Sequence, residues 1–170
     1  MKNSFTLAIC MFLLCSCTDG NTNAETQGVP APDFRLEDSN HQRFYLNRHK
    51  GKIVVIAFWA TWCNVCKTHL NALAKLNAEM KDKPVELVSI VVDPENRDTL
   101  AELLKTSINV NYPVLLDRKR QVMEKFKIKK IPTTIIIGPT NTIVLRKEGY
   151  HLSTIAQIRN RLDLLLENET

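Results

Sequence analysis

The sequence predicts an α/β domain in which a central mixed β-sheet carries helices on both faces. Residues 53–58 form a continuous apolar run, too short for a helix and without alternation, which is typical of a strand buried on both faces. A helical pattern follows directly, and a second apolar run spans 85–92. This β-α-β order predicts parallel pairing with a right-handed crossover. Residues 134–137 and 143–147 flank a Gly-Pro-Thr-Asn-Thr turn and predict a hairpin, which makes the sheet mixed.

The first two helices are predicted from apolar spacing and from the residues that bound them. The first helix follows Cys63 and ends before Pro84. Its apolar face consists of residues at helical spacing, namely Cys66, Leu70, Leu73 and Met80. Asp93 followed by Pro94 is a favourable cap and first turn, and it predicts a second helix that runs to about Thr106.

The second half of the domain is predicted to add an edge strand and two further helices. Residues 114–116 predict the edge strand, and residues 118–126 predict a short helix. Ser153 is expected to cap the last helix. The apolar face of that helix consists of Ile155, Ile158, Leu162 and Leu165.

Residues 1–17 have the features of an export signal. Lys2 is followed by an apolar run at 5–14 and by Leu14-Cys15-Ser16-Cys17. This run is about half of the roughly 20 residues that a helix needs to span a bilayer, so we expect removal rather than a permanent span. The Leu-Cys-Ser-Cys segment resembles the bacterial lipobox, which implies that Cys17 is lipidated and becomes the new N-terminus. Simple secretion and a retained anchor are the alternatives.

Residues 18–28 predict a flexible tether, and residues 29–170 predict a single domain of ordinary length. The tether is polar and lacks apolar periodicity, and about 11 such residues have a mean reach of roughly 20 Å. The formal net charge of the whole chain is +5. Because that charge is spread along the chain, we interpret it as a solvated surface and expect no nucleic-acid partner.

The cysteine pattern of the predicted domain points to redox chemistry. Once residues 1–17 are removed, Cys63 and Cys66 are the cysteines left, and their close spacing excludes the disulfide framework of a small secreted protein. The helix begins at Cys63, where unpaired N–H groups and the helix dipole stabilise a thiolate. The pKa of a thiol in such motifs can fall from about 8.5 to about 3.5–7.5. Cys66 lies one turn along, near enough to form a disulfide with Cys63.

This dithiol predicts thiol-disulfide exchange. Cys63 would attack a substrate disulfide, and Cys66 would resolve the mixed disulfide by attacking Cys63. Trp62, beside the nucleophile, is expected to limit the access of solvent. A copper or haem chaperone that binds through the same dithiol is an alternative.

No metal site and no cofactor besides the Cys63–Cys66 disulfide are expected. Zinc would need two more ligands, and the histidines show no paired spacing that would supply them; these are His41, His49, His69 and His151. No Gly-rich phosphate loop follows a strand. The dithiol therefore needs a partner that recharges it.

Three segments carry a family resemblance: 58–67 (FWATWCNVCK), 31–34 (APDF) and 131–134 (IPTT). With them the chain resembles the thioredoxin superfamily, and within it the TlpA/ResA-like envelope reductases, over residues 29–166. The resemblance implies a thioredoxin-like fold in which Pro132 is cis and faces the CxxC motif. It also implies that Ile131 and Thr133 border an extended stretch of substrate.

A peroxidase is a second enzymatic alternative, because residues 31–34 and the strand after them also resemble peroxiredoxins. Those proteins place a Pro and a Thr upstream of one peroxidatic cysteine. This chain instead has Thr61-Trp62 before a CxxC motif, which favours exchange.

Two positions depart from the family pattern. Val65 stands where Pro commonly precedes the second cysteine, so the family's redox potential does not transfer to this chain. Ala57 stands where thioredoxins carry a buried acid. The proton acceptor for Cys66 must therefore lie elsewhere or be water.

Two acids near the motif complete the candidate residues, and a nearby histidine is not counted among them. Asp93 and Glu95, after the second strand, lie near where ResA-like proteins place a functional glutamate and are candidates for proton transfer. For Asp93, helix capping is the simpler explanation. His69, three residues after Cys66, is interpreted as a surface or partly packed side chain.

The resemblance implies a membrane-tethered reductase on the periplasmic side of a bacterial cell envelope. Its substrates would be disulfide-bearing exported proteins, with apocytochromes c as candidates. A membrane thiol carrier would supply the electrons, and the lipid on Cys17 would hold the enzyme at the membrane. We expect a monomer.

Overall fold

The computed structural model describes residues 28–93 and 97–168. The predicted signal segment 1–17 with Cys17, the tether up to residue 27, and Glu95 lie outside the described residues. No helix within the described ranges is long and apolar enough to cross a membrane.

A mixed six-stranded sheet forms the centre of the domain. Its strands are β1 (Val29–Pro30), β4 (Ile53–Trp59), β5 (Val85–Val91), β6 (Val114–Leu116), β7 (Thr133–Ile137) and β8 (Thr142–Glu148). Their order is β1-β8-β7-β4-β5-β6. A separate two-stranded hairpin consists of β2 (Arg35–Glu37) and β3 (Arg43–Tyr45), and a 3₁₀ turn, Leu46–His49, follows it. The helices are α1 (Asn64–Glu79), α2 (Arg97–Thr106), α3 (Gln121–Lys125) and α4 (Thr154–Glu167).

Strand β4 lies in the middle of the sheet and is buried along its whole length, as its uninterrupted apolar sequence predicts. It runs parallel to β5 and antiparallel to β7. In this register Ala57 lies beside Ser89 of β5 and Thr134 of β7, and Phe58 lies beside Thr133. Directly paired residues project from the same face of a sheet, so these pairs assign Ala57 and Phe58 to opposite faces.

The two faces of the sheet are covered differently. On the Ala57 face lies α1, which also packs against α4. On the Phe58 face an aromatic cluster joins β4, the N-terminal segment and the end of α3, with ring centroids 5.6–5.8 Å apart; its members are Phe34, Phe44, Phe58 and Phe126. Helices therefore lie on both faces, as predicted, and one continuous apolar core contains both sides of the sheet.

One predicted cap is wrong, and the other stays a prediction. Helix α2 is described over Arg97–Thr106, and residues 94–96, where the predicted first turn after Asp93 falls, lie outside the described residues. The Asp93 carboxylate accepts hydrogen bonds from Thr61. The Ser153 side chain makes no cap hydrogen bond to α4, and the Thr154 hydroxyl accepts the His151 N–H at 2.8 Å. At the start of α4 the neighbouring Thr154 hydroxyl, rather than the Ser153 hydroxyl, therefore makes the side-chain hydrogen bond to the backbone.

The interpretation of His69 as a surface or partly packed residue is also wrong. Its side chain is 1% exposed and lies on the buried side of α1, where Nε2 and the Thr134 hydroxyl share a hydrogen bond of 2.8 Å. The Tyr150 ring lies 5.0 Å away, centroid to centroid. Residue 69 falls between Cys66 and Leu70 in the apolar stripe of the helix, so spacing should have outweighed its polar character.

Burial gives His69 an effect on stability. Because the charged imidazolium is poorly solvated inside the protein, burial lowers the pKa of His69 to about 4 from 6.5. Between these values the unfolded chain binds a proton that the folded chain does not bind. The folded state is therefore favoured above the unfolded pKa, and this contribution is lost as the pH falls from about 6.5 to about 4.

We expect the disulfide form of the wild type to lose about 3 kcal/mol more unfolding free energy than His69→Gln over that pH range. Glutamine can keep a hydrogen bond to Thr134 but does not titrate. Urea unfolding of both proteins at several pH values measures the difference. If the unfolding free energies of the two proteins change equally with pH, the pKa of His69 in the folded protein is not lowered.

Candidate active site

The candidate site lies where β4 passes into α1. Cys63 is the N-cap residue of α1 and has an extended backbone, with φ −86° and ψ 96°. Its N–H donates to the Ala60 carbonyl at 3.1 Å, and its own carbonyl accepts the Cys66 N–H at 3.1 Å. Cys63 and Cys66 form a disulfide, with their Cα atoms 5.3 Å apart. The predicted pair is therefore brought together at a helix N-terminus, where backbone N–H groups favour negative charge on sulfur.

The two cysteines differ in access. Cys63 is 5% exposed, whereas Cys66 is completely buried. The large side chains beside them point outward, since Trp62 is 72% exposed and Val65 is 46% exposed. Trp59, in contrast, belongs to the core. A reacting partner can therefore approach the disulfide only from the Cys63 side, next to the exposed tryptophan.

The Ile131–Pro132 peptide bond is cis, as the resemblance implies. Because Thr133 pairs with Phe58, Pro132 lies at the end of β4 from which the CxxC loop emerges. The Pro132 carbonyl accepts the Gly149 N–H at 2.7 Å, and the Thr133 hydroxyl donates to the Lys130 carbonyl at 2.6 Å. Ile131 is half-buried here. These bonds fix the segment on the same edge of the sheet as the disulfide.

Asp93 holds the loop before the disulfide. The Thr61 N–H donates to both carboxylate oxygens, at 2.8 and 3.1 Å, and the Thr61 hydroxyl donates to Oδ2 at 2.8 Å. Asp93 follows β5, the neighbour of β4, and the Val92 N–H donates to the Trp59 carbonyl at 2.9 Å. The predicted candidate thus lies near the site, but its carboxylate is bound to Thr61.

Sequence reasoning missed His69 as a residue of this region. It is a titratable side chain on the face of α1 that also carries Cys66, one helical turn away. The signal in the sequence is its spacing of three residues from Cys66. Its Nδ1 atom is buried and has no hydrogen-bond partner among the described residues.

A shallow depression of about 290 Å³ lies beside Trp62. It is lined by Thr61, Trp62, Thr99, Glu102, Leu103 and Thr106. Within residues 28–93 and 97–168 there is no cluster of three or more histidine, cysteine, aspartate or glutamate side chains that could hold a metal ion.

Comparison with known proteins agrees with this geometry. Residues 27–146 match the AhpC/TSA family. The thiol-disulfide oxidoreductase ResA of Bacillus subtilis is 35% identical over 145 residues, which are 85% of this chain and 79% of that protein. ResA of Oceanobacillus iheyensis is 30% identical over 167 residues, which are 91% of this chain and 85% of that protein.

A solved structure shows the same fold. The exposed lipoprotein thioredoxin of Streptococcus pneumoniae superposes with a TM-score of 0.69 and 25% identity, over 79% of this chain and 100% of that chain. The family match, the relatives and the disulfide at the start of α1 all point to one chemistry. The chain therefore belongs to the AhpC/TSA family and is a thiol-disulfide oxidoreductase with a thioredoxin-like fold.

Proposed function

We propose that this oxidoreductase is a membrane-tethered, extracytoplasmic reductase that converts disulfides of exported proteins to thiols. The observation that carries the proposal is the disulfide at the N-terminus of α1, in which Cys63 is slightly exposed, at 5%, and Cys66 is completely buried. This asymmetry assigns one role to each sulfur. Cys63 is the nucleophile, and Cys66 is the resolving cysteine.

In the reductive direction the Cys63 thiolate attacks a substrate disulfide. One substrate sulfur leaves with the electron pair, and a mixed disulfide joins Cys63 to the other. Cys66 then attacks the Cys63 sulfur, which restores the enzyme disulfide and releases the second substrate thiol. The N–H groups at the start of α1 stabilise Cys63 both as attacking thiolate and as leaving group.

The surface around Cys63 fits a protein substrate. Trp62 and Val65 are large exposed apolar side chains, and Trp62 also borders the depression of about 290 Å³. Such aromatic and apolar surface is typical of the centre of a protein-binding site. We assign Trp62 to substrate contact, a more direct role than exclusion of solvent. Ile131 and Thr133, beside Pro132, would border an extended segment of the substrate.

The disulfide is proposed to be the redox centre, with no further cofactor. A dithiol that is oxidised in each turnover must be reduced again, so a second thiol protein has to deliver two electrons to Cys63. For a tethered enzyme we propose a membrane thiol carrier in this role. Apocytochromes c are the proposed substrates, since their cysteines must be reduced before haem attachment.

Lipidation of Cys17 is proposed to hold the enzyme at the membrane as a monomer, on the periplasmic side and without contact to nucleic acid. The Leu14-Cys15-Ser16-Cys17 segment supports this, as does the description of the pneumococcal thioredoxin as an exposed lipoprotein. In this arrangement residues 18–28 would let the domain reach roughly 20 Å from the bilayer.

We propose that Asp93 acts on the reaction through Thr61 rather than by proton transfer. Its carboxylate accepts hydrogen bonds from both the N–H and the hydroxyl of Thr61. These bonds fix the backbone just before Trp62 and Cys63. A hydrogen bond to a charged acceptor contributes about 1.5–3 kcal/mol to the stability of a protein. For Glu95, outside the described residues, proton transfer remains the proposal.

The reduction potential of the Cys63–Cys66 pair tests the direction of electron flow. We expect a value near that of thioredoxin, about −270 mV, because a reductase must hold its electrons at low potential. Equilibration of the enzyme with defined dithiothreitol buffers measures it, with Cys63→Ser as the variant that cannot form the disulfide. A potential near that of the oxidising envelope enzymes, about −120 mV, would reverse the assigned direction.

Replacing Asp93 tests its positioning role. Asp93→Ala is expected to lower kcat/KM for disulfide reduction about tenfold and stability by about 1–3 kcal/mol, while leaving the shape of the pH-rate profile unchanged. The exposed Asp82→Ala serves as the matched control and should change neither quantity. If Asp93→Ala instead removes one limb of the pH-rate profile, Asp93 transfers protons.

Lipidation is tested by Cys17→Ser. The wild type should sediment with membranes and dissolve in detergent, whereas the variant should lose this behaviour and keep its disulfide-reducing activity in solution. Mass spectrometry of the N-terminus provides an independent measurement. A wild-type chain that begins at another residue or carries no acyl group would contradict the proposed anchor.

A further inference from the structure

The buried histidine on α1 lies on the same side of the helix as the resolving cysteine. His69 follows Cys66 by three positions in the helix, which places their Cβ atoms about 5–6 Å apart on one face. Side chains of an α-helix lean toward its N-terminus, so the ring of residue 69 lies over the turn that contains residue 66. Both side chains are enclosed, with 0% and 1% exposure.

The hydrogen bonding of His69 leaves one ring nitrogen available. Nε2 is 2.8 Å from the Thr134 hydroxyl, while the buried Nδ1 has no partner in the described part of the chain. A neutral imidazole has one N–H donor and one acceptor nitrogen. When Nε2–H donates to Thr134, Nδ1 carries the lone pair and can accept a proton.

Among the described residues, the sheet positions directly beneath His69 carry no side chain that would compete as a base at neutral pH. The sheet positions beneath it are Ala57 and its direct neighbours Ser89 and Thr134, none of which titrates in the physiological range. The buried acids of the described residues are Asp38 and Asp117, and both are bound elsewhere. Asp38 accepts backbone N–H groups of its own turn, and Asp117 accepts the Met123 N–H.

We propose that neutral His69 accepts the proton of the Cys66 thiol as Cys66 attacks the mixed disulfide on Cys63. The Cys66 S–H bond breaks and the proton moves to Nδ1. The Cys66–Cys63 bond forms, the bond from Cys63 to the substrate breaks, and the substrate sulfur leaves with the electron pair. The enzyme dithiol is thereby oxidised by two electrons, and the imidazolium returns the proton to the departing sulfur or to solvent. This inference rests on the proposed exchange mechanism.

The charge state of His69 is consistent with this role. In the disulfide form, burial lowers the pKa of His69 to about 4, so the ring is a neutral base at neutral pH. In the dithiol form a neighbouring Cys66 thiolate would favour the imidazolium, so the two groups would titrate as a coupled pair.

Other titratable groups come from the elements around α1. Tyr150 contacts the ring of His69, and Lys147 of β8 lies beside Thr134 on the same face of the sheet. Helix α4, which packs against α1, contributes the half-buried Arg161. A positive charge on Lys147 or Arg161 would favour the Cys66 thiolate over the thiol, and would oppose the imidazolium.

The test follows both steps in the reduced full chain in which Cys10, Cys15 and Cys17 are replaced by serine, so that Cys63 and Cys66 are the remaining thiols. Dithiobis(nitrobenzoate) serves as the disulfide. Attack by Cys63 releases the first nitrothiobenzoate, and resolution by Cys66 releases the second, so stopped-flow absorbance separates them. His69→Gln should leave the first rate unchanged and slow the second at least about tenfold near pH 7. The second rate of His69→Gln should increase with pH, because a rising hydroxide concentration can remove the Cys66 proton without a protein base.

Control variants separate this inference from the proposed function. His41→Gln, at an exposed position, should behave as the wild type in both phases. Cys66→Ser should retain the first phase and lose the second. A wild type that lacks the second phase would refute the exchange mechanism itself. A normal second phase in His69→Gln at every pH would refute only the role of His69.

A measurement on the unchanged protein keeps the inference testable if His69→Gln does not fold. Nuclear magnetic resonance of the imidazole nitrogens gives the pKa of His69 in the disulfide and dithiol forms. We expect a higher pKa in the dithiol form, since only that form contains a Cys66 sulfur that can ionise. Equal values in the two forms would overturn the proposal.

Discussion

The complete burial of β4 is the constraint on which the rest of the structure depends. This strand pairs along both edges and is covered on both faces. A change of its register by one residue would therefore move every core side chain to the opposite face of the sheet. A shift of one residue would exchange the environments of Ala57 and Phe58. The position at which β4 ends therefore determines where α1 begins, and with it the place of Cys63.

The neighbours of β4 bring the other site residues to the same edge of the sheet. Strand β5 ends beside Trp59 and carries Asp93 to the loop before the disulfide. Strand β7 begins beside Phe58, directly after the cis proline. Residues that are 30 to 70 positions apart along the chain meet there because backbone pairing aligns the strand ends. The chemistry is local to the CxxC motif, but its surroundings are produced by the whole sheet.

The parts of this architecture that depend on strong local patterns could be predicted from the sequence. The apolar run of β4, the helix after Cys63 and the β7–β8 hairpin have clear periodicity or turn residues. Strands β1, β2 and β3 have two or three residues each and are only partly buried, so no local signal defines them. The contacts of Asp93 and His69 could not be predicted for a related reason. Each has a partner from another part of the chain, Thr61 or Thr134, that residue type alone does not reveal.

The difference in exposure between Cys63, at 5%, and Cys66, at 0%, also limits the order in which the enzyme can meet its partners. In the proposed reductive cycle, both the protein that is reduced and the protein that restores the dithiol react at Cys63, since Cys66 is completely buried. They therefore need the same patch beside Trp62 and exclude each other from it. Each catalytic cycle must alternate between two docking events, with the electron pair stored in the domain between them. Such an enzyme follows a ping-pong scheme, in which an excess of either partner inhibits turnover by occupying the wrong redox form.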